Sequence, residues 1–455
     1  MKPIGSRIKL ERMTLGFPNF NGIFPGLRVI HLSDLHISSY GSQEKKLVRL
    51  VNREDPDIVC ITGDLLVNYR NEFSSCIQVL RELKARRGIF VVLGNAEHTL
   101  RPMEVMVEFE EAIRAVPVTL LTNESAELRI NGQSLHIMGV DDPFFQFDDF
   151  EQAVRGIPPD APILLLVHSP DIFFPRSDAL VLSLLDSPLK KDHFRDWGWV
   201  DRTYYAPEAG DVYFSRDGVQ TLRVQSRQDG VAIDAILLNP YPELDEILTS
   251  GDRPTLDRLA GSDTAHPSYP DLITITAADI DTGRIQGKWK KTKDSTALSG
   301  YRLDDYPLGR RWFFQPSVEP RDFFETEFET KKGLRYHVWM RMKAHRGSPY
   351  HDSVYVQFSD SVDEQGRDRY RIGKPAYSKS RLEHVDLILT GHTHGGQVRI
   401  PLFGPVTTMT SVGKRFVSGM YAEGRSQVYV SRGFGTSALP IRLFCPPEIT
   451  LFNFQ

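Results

Sequence analysis

Apolar and polar positions along this chain follow two rhythms, and the change between them falls near residue 175. Five short runs are almost wholly apolar and rich in β-branched residues: Leu27 to Leu32, Asp57 to Thr62, Gly88 to Leu93, Ile163 to Val167 and Val385 to Thr390. Runs of this length and type predict buried strands. Between the first three the spacing turns helical. Leu47, Leu50 and Val51 fall at i, i+3 and i+4 and predict a helix over 43–53; Phe73, Cys76, Ile77 and Leu80 predict another over 73–85. From Asp34 to Asp64 is 30 residues and from Asp64 to Asn95 is 31, close to one βαβ unit.

Beyond residue 175 the helical spacing fades. The chain becomes dense in aromatic residues, turns and period-2 segments, among them Val212–Phe214, Gln220–Val224, Arg335–Met342 and Ser353–Phe358. This pattern predicts an all-β sandwich. The α/β rhythm resumes at Val385 and runs through Gln427–Ser431 to the terminal Glu-Ile-Thr-Leu-Phe-Asn-Phe. The expected organisation is one α/β domain in two parts, 1–175 and 380–455, interrupted by a β-sandwich over 176–379. Both ends of such an insert must lie close together.

Each apolar run of the α/β parts ends in a residue that a divalent metal would take: Asp34 and His36 in Ser33-Asp34-Leu35-His36, then Asp64, Asn95, His168, and finally His392 and His394 in Gly391-His392-Thr393-His394. Side chains just past strand ends converge at one edge of an open sheet, where such folds keep their active sites. Mixed nitrogen and oxygen donors suit manganese, iron or zinc better than magnesium or calcium, which prefer oxygen. A lone Asp-x-His or Gly-Asp is common by chance, so the ordered set carries the inference.

In that order the segments resemble the calcineurin-like metallophosphoesterases. Gly391-His392-Thr393-His394-Gly395-Gly396-Gln397-Val398-Arg399-Ile400-Pro401 and the closing Ser431-Arg432-Gly433-Phe434-Gly435-Thr436-Ser437 resemble the bacterial YkuE-type branch. The resemblance covers about 1–175 and 380–455. It implies a layered α/β/β/α sandwich and a pair of divalent metals, manganese first with iron or zinc as alternatives. Asp34, His36, Asp64 and His394 would hold one metal; Asp64, Asn95, His168 and His392 the other, with Asp64 bridging and a metal-bridging hydroxide as nucleophile. The implied activity is hydrolysis of a phosphodiester or pyrophosphate bond in a small-molecule or lipid-linked phosphoester. One position departs from the family, which reads Gly-Asn-His-Asp/Glu where this chain has Gly94-Asn95-Ala96-Glu97-His98. The motif histidine assists the transition state or protonates the leaving group; Ala96 can do neither, and His98 is the candidate catalytic substitute.

Within the insert, 217–240 resembles the last strands of a galactose-binding-like, or carbohydrate-binding, β-sandwich, and 336–360 its opening half. Their reversed order implies a circular permutation or two incomplete modules. Contact with a glycan is the expectation this carries, and it supports an alternative function: a catalytically weak metal scaffold whose insert binds a glycan or protein. Trp197, Trp199, Trp289, Trp312 and Trp339 are expected in the core rather than on a sugar. His31 and His384 are expected to be packed structure. His193, His266, His337, His345 and His351 show no paired spacing with carboxylates and are expected on the solvated surface.

Composition narrows the setting. A net charge of -4 in 455 residues gives no electrostatic case for nucleic acid. No stretch has the roughly 18 consecutive apolar residues of a membrane-spanning helix, and the opening basic segment has no apolar stretch behind it. Cys60 and Cys76 read as small buried hydrophobes, and three cysteines make no disulfide framework. The cytoplasm is the expected location, with peripheral membrane attachment or export after processing as alternatives.

Overall fold

The structure, a computed structural model, describes residues 7–16, 23–67, 72–100, 103–145, 147–173, 178–184, 196–201, 210–249, 253–261, 267–306, 316–347, 353–374, 382, 384–408, 410, 415–437 and 441–455. The chain divides into two compact units, Met1–Phe174 with Ser378–Gln455, and Pro175–Tyr377.

The first unit holds two six-stranded sheets. In one, Arg28–Ser33, Ile58–Thr62 and Gly88–Val92 run parallel side by side, and the C-terminal strand Glu448–Phe454 inserts between Lys9–Leu15 and Arg28–Ser33. In the other, Gln133–Gly139, Ile163–Leu166, Leu387–Thr390 and Ser426–Val430 run parallel, flanked by Glu124–Ile130 and Gly419–Glu423 as antiparallel hairpin partners.

The apolar runs are continuous because both faces of these strands are covered. Val29, Ile58, Cys60, Phe90 and Val92 join Leu164, Leu166, Leu387 and Leu389 in a core drawn from both sheets. The alternating residues Ile30, Leu32, Val59, Ile61 and Val91 turn the other way, into a core with Leu47, Val51, Cys76, Leu80 and Phe109 of the covering helices. Each fully buried Val, Ile or Leu contributes about 1.5–3 kcal/mol.

The helices are Ser42–Arg53, Phe73–Glu82 and Met103–Arg114. Gly41 starts the first, with its N–H bonded to the Glu44 carboxylate at 2.8 Å. The second stops at Glu82, short of the expected residue 85, because Leu83 is extended with ψ 145°. On the second sheet's side, among the described residues, the helical cover reduces to the four-residue turn Phe150–Ala153.

The two strands on either side of Pro175–Tyr377 are direct neighbours: Leu387, Ile388 and Leu389 pair in parallel with Leu164, Leu165 and Leu166. The interruption therefore sits between adjacent strands of one sheet.

The unit Pro175–Tyr377 contains two antiparallel sheets. Val231–Asn239 and Tyr336–Ala344 pair at the centre of one, and Gly218–Ser226 lies between Phe323–Thr330 and Ser353–Phe358 in the other. The segments 217–240 and 336–360 thus interleave strand for strand. Leu222, Val224, Val354 and Val356 of one sheet and Ile233, Ile236, Val338 and Met340 of the other belong to one apolar cluster. Trp197, Trp199, Trp289 and Trp339 are buried, while Trp312 lies outside the described residues.

Three expectations need correction here. The unit is not purely β, since Pro242–Thr249 and Arg253–Ala260 are helices, each too short for its periodicity to stand out. His337 is not solvated: its ring lies between Asp211 Oδ1 and Asp201 Oδ2, with Arg335 Nε bonding Asp211 at 2.7 Å. His384 is exposed rather than packed. His193, His266 and His351 lie outside the described residues, and His345 is half-buried with its ring edge-on to Tyr306.

Candidate metal centre

All seven expected ligand residues converge at the strand ends of the first unit. Asp34 and His36 follow Arg28–Ser33, Asp64 follows Ile58–Thr62, and Asn95 opens the short helix Asn95–His98. The second sheet supplies His168 after Ile163–Leu166 and His392 and His394 after Leu387–Thr390. Five of these residues are left-handed: Asp34 (φ 49°), His36 (42°), Asp64 (50°), His392 (65°) and His394 (50°). A non-glycine residue there costs on the order of 1 kcal/mol, and such strain gathers where the surroundings dictate a side chain's direction.

Backbone bonds supply that dictation. Asp34 N–H donates to Gly63 O at 3.1 Å, His36 N–H to Asp64 O at 2.9 Å and Gly391 N–H to His168 O at 2.8 Å. Gly391 must be glycine by close approach, because a Cβ there would lie 1.8 Å from Ser33 Oγ and 2.3 Å from Asp34 Oδ2. Gly433 is held for two reasons: its φ is 69°, and a Cβ would come within 2.6 Å of Asp34 Cβ.

The side chains form two overlapping sets. In the first, His36 Nε2 is 3.3 Å from Asp64 Oδ2 and 3.2 Å from His394 Nε2, and His394 Nε2 is 3.4 Å from Asp34 Oδ1. The donor atoms of Asp34, His36, Asp64 and His394 lie within 4.8 Å of one another. In the second, His168 Nε2 is 3.3 Å from Asp64 Oδ1, 3.1 Å from Asn95 Oδ1 and 3.2 Å from His392 Nδ1. Asp64 thus turns one carboxylate oxygen to each set.

The far side of each ring is also specified. His36 Nδ1 donates to Leu66 O at 3.0 Å and His168 Nδ1 to Thr62 O at 2.9 Å. A proton fixed on Nδ1 leaves the Nε2 lone pair facing the cluster, as a metal ligand requires.

Electrostatics points the same way. Burial opposes charge on His168 and His36, yet Asp64 outweighs it and raises both, His168 well above the usual imidazole range. Burial likewise opposes charge on Asp64, but His168 and His36 hold it well below the usual carboxylate range. His394 is held well below its usual value by burial, His36 and Arg442, so it stays neutral. The Asp64 carboxylate thus favours positive charge on the two imidazoles that face it, a demand that a divalent cation would meet instead. The donors fit such ions.

His98 stands in a different contact set. Its Nε2 is 2.7 Å from Asp141 Oδ1, its ring stacks on Phe147 at a centroid distance of 4.2 Å, and it is buried. Burial opposes its charge, but Asp141 outweighs this and raises its pKa. With Nε2 turned to Asp141, a part for His98 in proton transfer would fall to Nδ1.

Two acids gained no role from the sequence. Buried Glu97 accepts N–H bonds from Asp64 at 3.1 Å, Leu65 at 2.8 Å, Leu66 at 3.1 Å and Gly94 at 2.8 Å, tying two ligand loops together. Its place after Gly94-Asn95 was the available signal. Asp142 is fully buried, accepts Phe145 N–H at 3.0 Å, and is pushed up to about 7 by burial.

Residues 27–172 match the family model described as calcineurin-like phosphoesterase. A 71-residue stretch is 46% identical to the uncharacterised metallophosphoesterase YkuE of Bacillus subtilis, covering 16% of this chain and 24% of that protein. A 74-residue stretch is 47% identical to the phosphodiesterase YaeI of Escherichia coli, covering 16% and 26%. Over 154 residues the chain is 25% identical to the uncharacterised metallophosphoesterase YkoQ of Bacillus subtilis, covering 33% and 56%. The matches thus span from about a quarter to about half of these relatives' length.

Proposed function

We propose that this chain, which carries a calcineurin-like metallophosphoesterase domain, hydrolyses a phosphodiester or pyrophosphate bond with two divalent metals, manganese first and iron or zinc as alternatives. The observation that carries the reading is the division of Asp64, with Oδ2 toward His36 and Oδ1 toward His168, both at 3.3 Å. One carboxylate shared by two donor sets is what a bridging ligand requires. Asp34, His36, Asp64 and His394 would hold one cation, and Asp64, Asn95, His168 and His392 the other. Such a pair polarises the phosphoryl oxygens and activates water for in-line attack.

The chain's own residues aim and hold this centre. Thr62 O and Leu66 O orient the imidazoles of His168 and His36. Asp34 accepts the His392 N–H at 3.0 Å, fixing the last ligand loop against the first. Asp64 Oδ1 also accepts Ala96 N–H at 2.8 Å, which orders the loop that presents Asn95. The domain organisation we favour is metallophosphoesterase over 1–175 and 380–455 with a circularly permuted, galactose-binding-like module over 176–379. The interleaved pairing of 217–240 with 336–360 supports one module over two fragments.

The test is hydrolysis of an aryl phosphodiester by metal-stripped protein before and after Mn²⁺ is restored. Turnover should appear with the metal and fall by at least about 100-fold in Asp64→Ala. Unchanged turnover in Asp64→Ala would place the chemistry elsewhere.

A second reading is supported by Ala96 at the motif-histidine position and by the commitment of His98 to Asp141. In it the centre is catalytically weak and the insert recognises a glycan or protein partner. Two bound metals without turnover on any phosphoester, together with glycan binding by the full chain, would favour this alternative.

A further inference from the structure

Arg442 belongs to the closing segment 431–448, which supplies no candidate ligand, yet its side chain is buried behind the metal centre. A buried guanidinium is costly unless its donors are satisfied. Here carbonyls, rather than a carboxylate, receive them. Nε and Nη2 donate to Gly435 O at 2.8 and 2.6 Å, and Nη2 also to Arg432 O at 2.8 Å. Nη1 lies 3.4 Å from both His394 O and Cys445 O, and Nη2 lies 3.1 Å from His394 Nδ1.

These contacts join two ligand loops. Phe434 N–H donates to Ser33 O at 3.0 Å and Gly435 N–H to Asp34 O at 2.6 Å, so the turn 432–435 lies along the Asp34–His36 segment. The fit leaves no room for side chains. A Cβ on Gly433 would lie 2.6 Å from Asp34 Cβ, and one on Gly435 would lie 2.6 Å from His36 Cβ. Asp34 and His36 both have left-handed backbones, which persist where the surroundings impose them. Arg442 holds that turn through Gly435 O and Arg432 O, and reaches the third ligand through His394 O. Asp34, His36 and His394 are three of the four residues in the first donor set. The second set has other supports: Thr62 O orients His168, and Asp64 orders the loop of Asn95.

Charge alone gives Arg442 no purpose here. The guanidinium interacts electrostatically with Asp34, and a fixed positive charge beside a cation site works against cation binding. What an arginine offers is shape. Its planar fork of five donors meets several carbonyls at once, which a lysine ammonium does not reproduce.

We propose that Arg442 is a positioning residue for the first donor set: it locks the Asp34–His36 segment to the His394 loop and leaves the second set to its own supports. This step rests on the two-metal reading of the same site.

The test is titration of the metal-stripped full chain with Mn²⁺, read by electron paramagnetic resonance. Wild type should bind two ions whose spins couple, as ions sharing a carboxylate do. In Arg442→Met one ion should bind about 10–100-fold more weakly, while the other keeps its affinity. Between those two affinities the variant should give the signal of an isolated ion, which anomalous scattering should place beside His168 and His392. If Arg442→Met does not fold, the same split is read in Arg442→Lys, which keeps the charge without the fork. A first ion that binds more tightly in Arg442→Met overturns the proposal in favour of charge repulsion. Equal weakening of both ions, or no change in either, overturns it as well. Wild type that binds fewer than two ions overturns the two-metal reading itself, so the two failures are told apart.

Discussion

His36 Nε2 lies 3.2 Å from His394 Nε2 with the rings stacked at 5.0 Å, although 358 residues separate them in the chain. Two metal–nitrogen bonds of about 2.1 Å at an angle near 100° place their nitrogens about 3.2 Å apart. The pair has the spacing of two ligands on one ion. The same separation recurs between His168 Nε2 and His392 Nδ1.

Metal binding should therefore expel protons. Asp64 raises His36 and holds His168 well above the usual imidazole range, so metal-free protein favours protons on these rings that a bound cation must displace. Adding Mn²⁺ to stripped protein in weak buffer at pH 7 should release about one to two protons per chain. Affinity should fall as the pH is lowered. An indicator dye reads the first effect and calorimetry at two pH values the second; binding with no proton release contradicts the charge balance described for the cluster.

Glu97 acts by holding loops rather than by touching a substrate. Each of its carboxylate oxygens accepts two backbone N–H groups, from Leu65 and Leu66 and from Asp64 and Gly94. Glu97→Gln turns an amide NH₂ toward two of those donors, costing about 2–4 kcal/mol of stability. It should also weaken metal affinity about 10–100-fold, the usual effect of losing a group that orients ligands. Melting curves and a metal titration check both, and native-like metal affinity in the variant would separate Glu97 from the centre.

His98→Asn gives the sharpest view of the motif gap. With His98 held by Asp141 at 2.7 Å, the expected outcome is a lower melting temperature and less than about a threefold change in kcat. A loss of about 100-fold in kcat with stability intact would instead put His98 into proton transfer.

In the second unit His337 should confer pH-dependent stability. Burial works against its charge, but Asp201 and Asp211 raise it to about 9 from 6.5. A raised folded-state value stabilises fully below the unfolded value, and the contribution is lost as pH rises from about 6.5 through about 9. The contribution is roughly 3 kcal/mol. Wild type should lose stability across that window in chemical denaturation, while His337→Gln starts lower and stays flatter. Equal slopes would mean that another group carries the dependence.

The convergence of the seven candidate ligands was legible because each follows a buried strand and falls in a short local motif. Asp34, Asp64 and Asn95 are announced by the apolar runs before them, and the covering helices by their i, i+3, i+4 spacing. What escaped depends on contacts far apart in sequence. His337 acquires Asp201 and Asp211 across 136 and 126 residues, and His98 acquires Asp141 across 43. No local spacing encodes those pairs. The division of the α/β unit into two sheets was carried by the resemblance, since a strand buried on both faces reads alike against helices or against another sheet. The helices Pro242–Thr249 and Arg253–Ala260 were hidden by their length.

The central claim is two metals sharing Asp64, and anomalous scattering from crystals grown with Mn²⁺ tests it most directly. Two peaks are predicted, about 3.5–4 Å apart, one among Asp34, His36, Asp64 and His394 and one among Asp64, Asn95, His168 and His392. A single peak, or peaks away from Asp64 in protein that still hydrolyses a phosphodiester, would contradict the account.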